Sequence, residues 1–467
     1  MIIRKFSTKS ASNGVRSSAK PLLIGCHGNE ISSIMSAELP RFSIVVTRTF
    51  SSVYFLVLDE VTLARSSRVC RIWRNLSSTP WLWQRFCCHS KWQLSHSGQN
   101  KQKSIYKLTN GNIDWKRCFV ERFRLRRNWL KGCCHVRTFE GHSQGVTCVQ
   151  FDETRIVSGS SDKSIKVWNI RTNSPWSVMT LVGHSGTVRC LHLEGNRLVS
   201  GSSDCTIKVW DLSTQLSWSS IACKVTMIGH ADTVRCLQVD EEKVVSGSYD
   251  HTLKVWDVKT GQCTLTLYGH DLAVLCLQFD DKKLVSGSCD RSIKLWNLSN
   301  GSCKATLHGH QDAVTCLQFD EVRILSGSLD RTIKFWNLES GQCLRTLDWM
   351  SSEGHTGVVR CLQADSWRFV SGGDDKTLKV WSLETGQRLT TLRNHTDGVT
   401  CLQFNDSVIV SGSYDGTVKL WDFSVEICAR LMPRCWWKDR GGVFELWPFC
   451  GGLVGLVVVI RNLTNFQ

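Results

Sequence analysis

Seven times between His142 and Trp421 the chain repeats one cassette. A His is followed twenty residues later by an Asp and six residues after that by a Trp, with a Ser four residues before the Asp. The sets are Trp168, Ser158, His142, Asp162; Trp210, Ser200, His184, Asp204; Trp256, Ser246, His230, Asp250; Trp296, Ser286, His270, Asp290; Trp336, Ser326, His310, Asp330; Trp381, Ser371, His355, Asp375; and Trp421, Ser411, His395, Asp415. Spacing that never slips over seven copies requires one structural unit repeated rigidly. Within a cassette, residues such as 188–191, 197–200 and 206–210 alternate as strands between Gly and polar turns, and a fourth strand fits between one Trp and the next His. The turns Lys259–Gln262 and Glu384–Gln387 place Gly where a short hairpin needs positive φ.

The repeated residues have a mechanism. An indole N–H, a Ser hydroxyl, an imidazole and a carboxylate pass hydrogen bonds along in series, Trp to Ser to His to Asp, and a satisfied buried network pins each unit. Because they recur equally, they are expected to be structural rather than catalytic. Val136–Phe139, just before Gly141-His142, mimics Thr264–Leu267 before Gly269-His270. It is expected to complete the last sheet beside the strand ending at Trp421, closing a ring with no exposed sheet edge. A four-stranded unit of about 40 residues bearing GH and WD marks resembles the WD40 repeat. The expected fold is mainly β, a seven-bladed WD40 β-propeller over residues 132–423, preceded by a small α-helical module and a helical linker.

Length varies only between a Trp and the next His. Thr172–Ser177 and Thr214–Lys224 fall in turns between third and fourth strands, whereas Asp348–Glu353 widen a loop on the face of the His and Asp turns. Trp349 and Met350 in that loop either stand out as an apolar anchor for a partner or fold back on the blade.

Charge divides the chain. Residues 1–131 hold 23 Lys and Arg against 6 Asp and Glu, while residues 132–423 hold 29 against 32, so the net +16 comes from outside the ring. A basic field of the kind that binds nucleic acid nonspecifically is therefore not expected on the propeller. Of 23 cysteines, Cys148, Cys190, Cys236, Cys276, Cys316, Cys361 and Cys401 recur six residues after each cassette His, on different blades, and read as small buried residues. Cys87-Cys88 and Cys133-Cys134 lack the spaced second pair of a zinc site, so no metal and no cofactor are expected. Abundant unpaired thiols fit the cytoplasm or nucleus. Residues 1–37 read as a basic disordered tail and residues 424–467 as a tail of uncertain structure. Its uncharged run Leu446–Ile460 is shorter than the ~20 apolar residues of a spanning helix.

Residues 58–64, then Val69, Cys70, Arg71, Ile72, Trp73, Arg74, Asn75 and Leu76, then Pro80, Trp81, Leu82 and Trp83, resemble the latter part of an F-box over residues 38–88. Leu63, Val69, Ile72, Trp73 and Leu76 fall at helical spacings expected to bury one face of short helices. The resemblance implies docking to the Skp adaptor and cullin of an SCF ubiquitin ligase, through Leu63, Val69, Trp73, Leu76, Pro80 and Trp83. Leu39-Pro40 stands farther upstream of Leu58 than the family's opening Leu-Pro, and residues 42–57 hold few good helix formers. Between this module and the ring, residues 89–131 are the expected linker. In its Asp114–Leu130 stretch, Trp115, Phe119 and Phe123 recur with a four-residue stride, and Arg122, Arg124, Arg126 and Arg127 are expected on a solvated face.

Five residues after each cassette His, the innermost strand begins near the central channel with Thr147, Arg189, Arg235, Leu275, Thr315, Arg360 and Thr400. This position varies where the skeleton does not, as expected of a site grafted onto a scaffold. Arg189 and Arg235 occupy neighbouring blades, suited to hold one phosphate through paired guanidinium forks, with Arg360 across the channel. The alternative is that both pair with nearby carboxylates such as Asp232. The arrangement resembles the phosphodegron receptors among F-box/WD40 proteins, and Tyr249 matches a face residue of that group; Ser203 stands where a further arginine is expected. The resemblance implies a non-catalytic substrate-recognition subunit of an SCF ligase that binds phosphorylated proteins and promotes their ubiquitin-dependent degradation. The alternative is a WD40 scaffold not coupled to ubiquitination. Neither nucleic acid nor membrane is expected as a partner.

Overall fold

The computed structural model describes residues 55–171, 178–213 and 223–425. Expectations for residues 1–37, Leu39-Pro40, the insertions at 172–177 and 214–222, and the run 446–460 lie outside them. The chain divides into two compact units, residues 1–83 and 84–467.

In the second unit seven four-stranded antiparallel sheets follow one another. Blade 1 runs over residues 146–181, blade 2 over 188–228, blade 3 over 234–267, blade 4 over 274–307, blade 5 over 314–347 and blade 6 over 359–393. Blade 7 takes three strands from residues 399–422, and its fourth is His135–Phe139, which pairs antiparallel with Val418–Asp422 in register Val136 to Trp421. The ring is thus closed by the segment that precedes its first repeat.

Every relay forms. In all seven blades the Trp Nε1–H donates to Ser Oγ at 2.7–2.9 Å. The Ser hydroxyl lies 2.7–2.8 Å from His Nε2. His Nδ1 lies 2.7–2.9 Å from Asp Oδ2. The chemistry of the four groups sets the direction: the indole only donates, so the hydroxyl donates onward and the imidazole carries its proton on Nδ1 toward the carboxylate. The seven serines are wholly buried.

Apolar side chains fill the seams between blades rather than the blades themselves. One cluster joins Val157 and Val167 of blade 1 to Val188, Leu198 and Trp210 of blade 2, and an equivalent cluster occupies each of the other seams. The repeated Ser-Gly-Ser follows from this packing. A Cβ on Gly247 would lie 2.7 Å from Cys236 Sγ and 2.7 Å from Val274 Cγ1 of the next blade, so a bare backbone and a small inner side chain are both required. Glutamines add clamps that the repeat alone does not announce: Gln238 bonds both the N–H and the C=O of Phe279 one blade on, and Gln278, Gln318 and Gln363 repeat this.

Residues 84–131 belong to the same unit as the ring. Helix Trp115–Lys131 is capped by Asp114, which accepts from Arg117 N–H, and stopped by left-handed Gly132. Its Trp129 is fully buried, stacked on Phe423 at 3.9 Å with the Arg368 guanidinium 3.4 Å over its ring, and its Nε1–H donates to Asp406 O. Arg122 departs from the expected solvated face. It is buried and donates to Gln102 Oε1 and to the carbonyls of Cys87 and Trp92, because it stands three residues after Phe119 on the packed side.

The first unit is small. Helices Glu60–Ser66 and Arg71–Ser77 are capped by Asp59 and Cys70, and Pro80 opens a third helix, Pro80–Cys88. Phe55, Leu63, Leu82 and Trp83 form its core, with Phe55 edge-on to Trp73 and Trp83 Nε1–H donating to Ser77 O at 2.7 Å.

Burial alone would raise the relay carboxyls, but the bonds from His355 and Thr377 outweigh it and lower Asp375 to about 2; Asp204, Asp250, Asp290, Asp330 and Asp415 lie below the ordinary range for the same reason. As pH falls, the unfolded chain binds protons before the folded ring does. The relay contribution is therefore whole above the ordinary carboxylate pKa of 3.8 and is lost below it. Because burial also lowers the imidazoles of His142 and His192 from the ordinary 6.5, calorimetric melting should decline gently as pH falls through that value and steeply below about pH 4, and Asp375→Asn should melt lower at neutral pH with a shallower acid slope.

Candidate functional site: the channel mouth

The innermost strand of each blade lines the channel, and the variable position near its start differs in chemistry around the ring. Thr147, Thr315 and Thr400 spend their hydroxyls on backbone: each donates to the carbonyl of the Ser-Gly-Ser glycine in its own blade or of a valine in the next. Leu275 is buried. Arg360 forms a two-pronged pair with Asp374, Nε to Oδ1 at 2.9 Å and an Nη to Oδ2 at 2.8 Å, and this bonding holds its pKa above the ordinary guanidinium value.

Arg189 and Arg235 remain. They sit at matching positions on the adjoining inner strands Val188–Glu194 and Val234–Val239, and among the described residues neither has a hydrogen bond or carboxylate within ion-pair distance. Nε of Arg189 is buried with no partner at all. Asp232, the carboxylate best placed to neutralise them by sequence, instead accepts the N–H of Thr233 at 2.5 Å.

Burial pushes the thiols of Cys148, Cys316 and Cys401 up to about 12, and the positive charge of Arg235, on another blade, opposes that rise in each. The same charge bears on Cys190 and Cys276.

The other expected site residues are placed as follows. Tyr249 is half-buried at the mouth of blade 3, its N–H bonded to Thr233 O. Trp349 is 53% exposed and Met350 75%, on a loop turned by Asp348, which accepts the N–H and hydroxyl of Ser351 and whose carbonyl takes Gly354 N–H; of the two conformations open to Trp349 in the sequence, the outward one is found. Arg360, expected to be free for an anion, is neutralised, and Asp374 is the residue that sequence reasoning missed. Its signal is the doubled Asp374-Asp375, where other blades place Ser, Tyr, Cys or Leu before the relay Asp. In the first unit, Leu63 and Trp83, expected at the adaptor surface, are core residues, Trp73 and Leu76 are half-buried, and Val69, Ile72 and Pro80 are exposed. The helices are too short for one continuous apolar face: Val69 falls in the turn between the first two, and Ile72 stands in the outward first turn of the second.

A ring of seven relay-pinned four-stranded sheets defines a seven-bladed repeat propeller. The model of the WD domain, G-beta repeat, matches residues 133–169, 176–211, 221–257, 261–297, 301–337, 341–382 and 386–422, more than half of the chain, and the chain belongs to the WD40 family. The WD40 β-propeller domain of Doa1 superposes with a TM-score of 0.54 at 27% identity, covering 61% of this chain and 95% of that one. The chain is 29% identical over 138 residues to a probable E3 ubiquitin ligase complex SCF subunit sconB of Arthroderma otae, covering 25% of this chain and 20% of the relative. It is 31% identical over 133 residues to an F-box protein of Saccharomyces cerevisiae, covering 25% and 21%. The chain thus spans about a fifth of the length of these relatives.

Removing the Asp374 charge should turn Arg360 into a third unpaired guanidinium. Asp374→Asn is expected to gain more thermal stability from inorganic phosphate than the parent does, with chloride at matched ionic strength as reference; equal shifts would show that Arg360 is not neutralised as described.

Proposed function

We propose that this chain is a substrate-recognition subunit of an SCF-type ubiquitin ligase. It captures phosphorylated proteins at the channel mouth, engages the Skp adaptor and cullin through its N-terminal helices, and leaves ubiquitin transfer to partner enzymes. The observation that carries the capture step is that two of seven equivalent positions hold guanidiniums with no internal partner, on adjacent blades. Both guanidiniums are half-buried, and a phosphate supplies the acceptors they lack in the bidentate geometry arginine favours. The similarity to an SCF ubiquitin ligase subunit and to an F-box protein supports the ligase context. Free thiols among the described residues fit a reducing compartment, cytoplasm or nucleus.

Arg189→Ala and Arg235→Ala are each expected to weaken phosphopeptide binding by ~1.5–3 kcal/mol, measured by fluorescence anisotropy, with the unphosphorylated peptide bound no better by any of the three proteins. Equal affinity of the parent for phosphorylated and plain peptide would end this reading.

Ligase coupling is tested on the surface rather than the core of the first unit. Ile72, 68% exposed, offers an apolar contact whose loss leaves the fold intact. Ile72→Asp should abolish co-purification of the Skp adaptor with an unchanged melting temperature. If the parent retains phosphopeptides but never the adaptor, the chain is instead a WD40 interaction scaffold.

A further inference from the structure

Along the inner strands the blades are tied to one another by two kinds of side chain, and the seams do not share them equally. Near the channel mouth Thr147, Thr315 and Thr400 donate to Val188 O, Val359 O and Val146 O of the next blade. Three residues farther along the strand, Gln238, Gln278, Gln318 and Gln363 each clamp the N–H and the C=O of one residue in the next blade, and Gln403 accepts the N–H of Phe151. Gln150 is turned instead toward Gln403, whose Nε2 lies 3.5 Å from its Oε1. Blade 2 departs at both positions: Arg189 takes the threonine place and His192 the glutamine place.

Among the described residues, the seam between blades 2 and 3 is therefore the one seam of seven with neither tie. The seam of blades 1 and 2 keeps Thr147, and each of the others keeps its glutamine. An imidazole is no substitute. A glutamine carries acceptor and donor on one terminal carbon, matched to the N–H and C=O of one residue, whereas the two ring nitrogens of a histidine point apart. The N–H and C=O of Val239, equivalent to those of Phe279 that Gln238 clamps, receive no side chain among the described residues. The apolar filling is lighter too, since Val239 stands where blades 4, 5 and 7 place Phe279, Phe319 and Phe404. Cys190 Sγ, a weak donor, approaches Val234 O at 3.9 Å. At the other end of the strands, away from the relay turns, Arg197 donates to the carbonyls of Asp240 at 2.8 Å and Glu241 at 3.3 Å. The seam is pinned there and unpinned toward the channel mouth, where Arg189 and Arg235 stand on its two sides.

We propose that this seam is the joint of the ring: blades 2 and 3 part at the channel mouth about Arg197, His192 is the residue that frees them, and the movement sets the spacing of Arg189 and Arg235. Local opening is drawn from the least restrained part of a fold, and the tied seams hold the frame while this one moves. The consequence for binding rests on the phosphate reading above. An anion shared by the two guanidiniums draws the joint closed, because both forks reach its oxygens only at a short separation.

Hydrogen exchange on the full-length chain, read by mass spectrometry, tests this. The segment Val234–Val239 should exchange faster than its counterparts Val274–Phe279 and Val314–Phe319, by roughly fivefold, as expected for one missing neutral hydrogen bond. His192→Gln, which supplies the residue of the other blades, should remove the difference. Gln278→His leaves the seam of blades 4 and 5 with neither tie, since Leu275 holds the threonine place there, and should bring fast exchange to Val314–Phe319. Equal exchange in the parent, or a difference that survives His192→Gln, overturns the joint. A saturating phosphoserine peptide should slow Val234–Val239 and leave Val314–Phe319 unchanged. Phosphate-dependent binding without that slowing overturns the link between joint and site. Binding indifferent to phosphate, with the exchange pattern of parent and variants as expected, ends the phosphate reading and leaves the joint standing.

Discussion

Each blade depends on one chain of hydrogen bonds that begins at a buried indole and ends at a carboxylate. Because Trp can only donate and Asp can only accept, the Ser and His between them have no freedom of direction, and the relay is satisfied only when all four groups are in place. It ties the third strand to the second, and through His it ties the loop from the preceding blade over the turn that carries Asp. The relay therefore fixes blade to blade as well as strand to strand. Repeated seven times and closed by residues 135–139, it completes every four-stranded sheet and leaves a channel whose radius is set by packing at the Gly and Cys positions.

On so uniform a frame, chemistry is added by substitution at positions the frame does not use. The start of the inner strand is such a position, and its occupants show three outcomes. Threonine is absorbed into the scaffold by bonding backbone carbonyls, Arg360 is cancelled by Asp374, and Arg189 and Arg235 are left with charge and no partner. The same residue type is inert or available according to one neighbour, which is why a count of arginines around the channel overstates the site.

The linker is bound to the ring by a comparable device. Trp129 lies between the Arg368 guanidinium and Phe423, and Arg368, whose pKa burial lowers to about 10 against the pull of Asp365, also touches Phe404. An aromatic ring held on both faces, with its N–H bonded to Asp406 O, cannot swing independently of blades 6 and 7. The charged residues of this helix that face solvent by periodicity are partly structural, since Arg122 stands on the same side as Phe119.

Much of the architecture was legible in the chain. Seven cassettes, the strand that closes the ring, the relay and the small inner cysteines follow from spacing and donor–acceptor chemistry, because a repeat multiplies a weak local signal and a hydrogen-bond series has only one order. Which arginines lack a partner, the outward turn of Trp349, and the burial of Leu63, Trp83 and Arg122 were decided by tertiary structure. These depend on neighbours distant in sequence or on which side of a short helix meets the core. A spacing rule carries no information about them until the chain is folded.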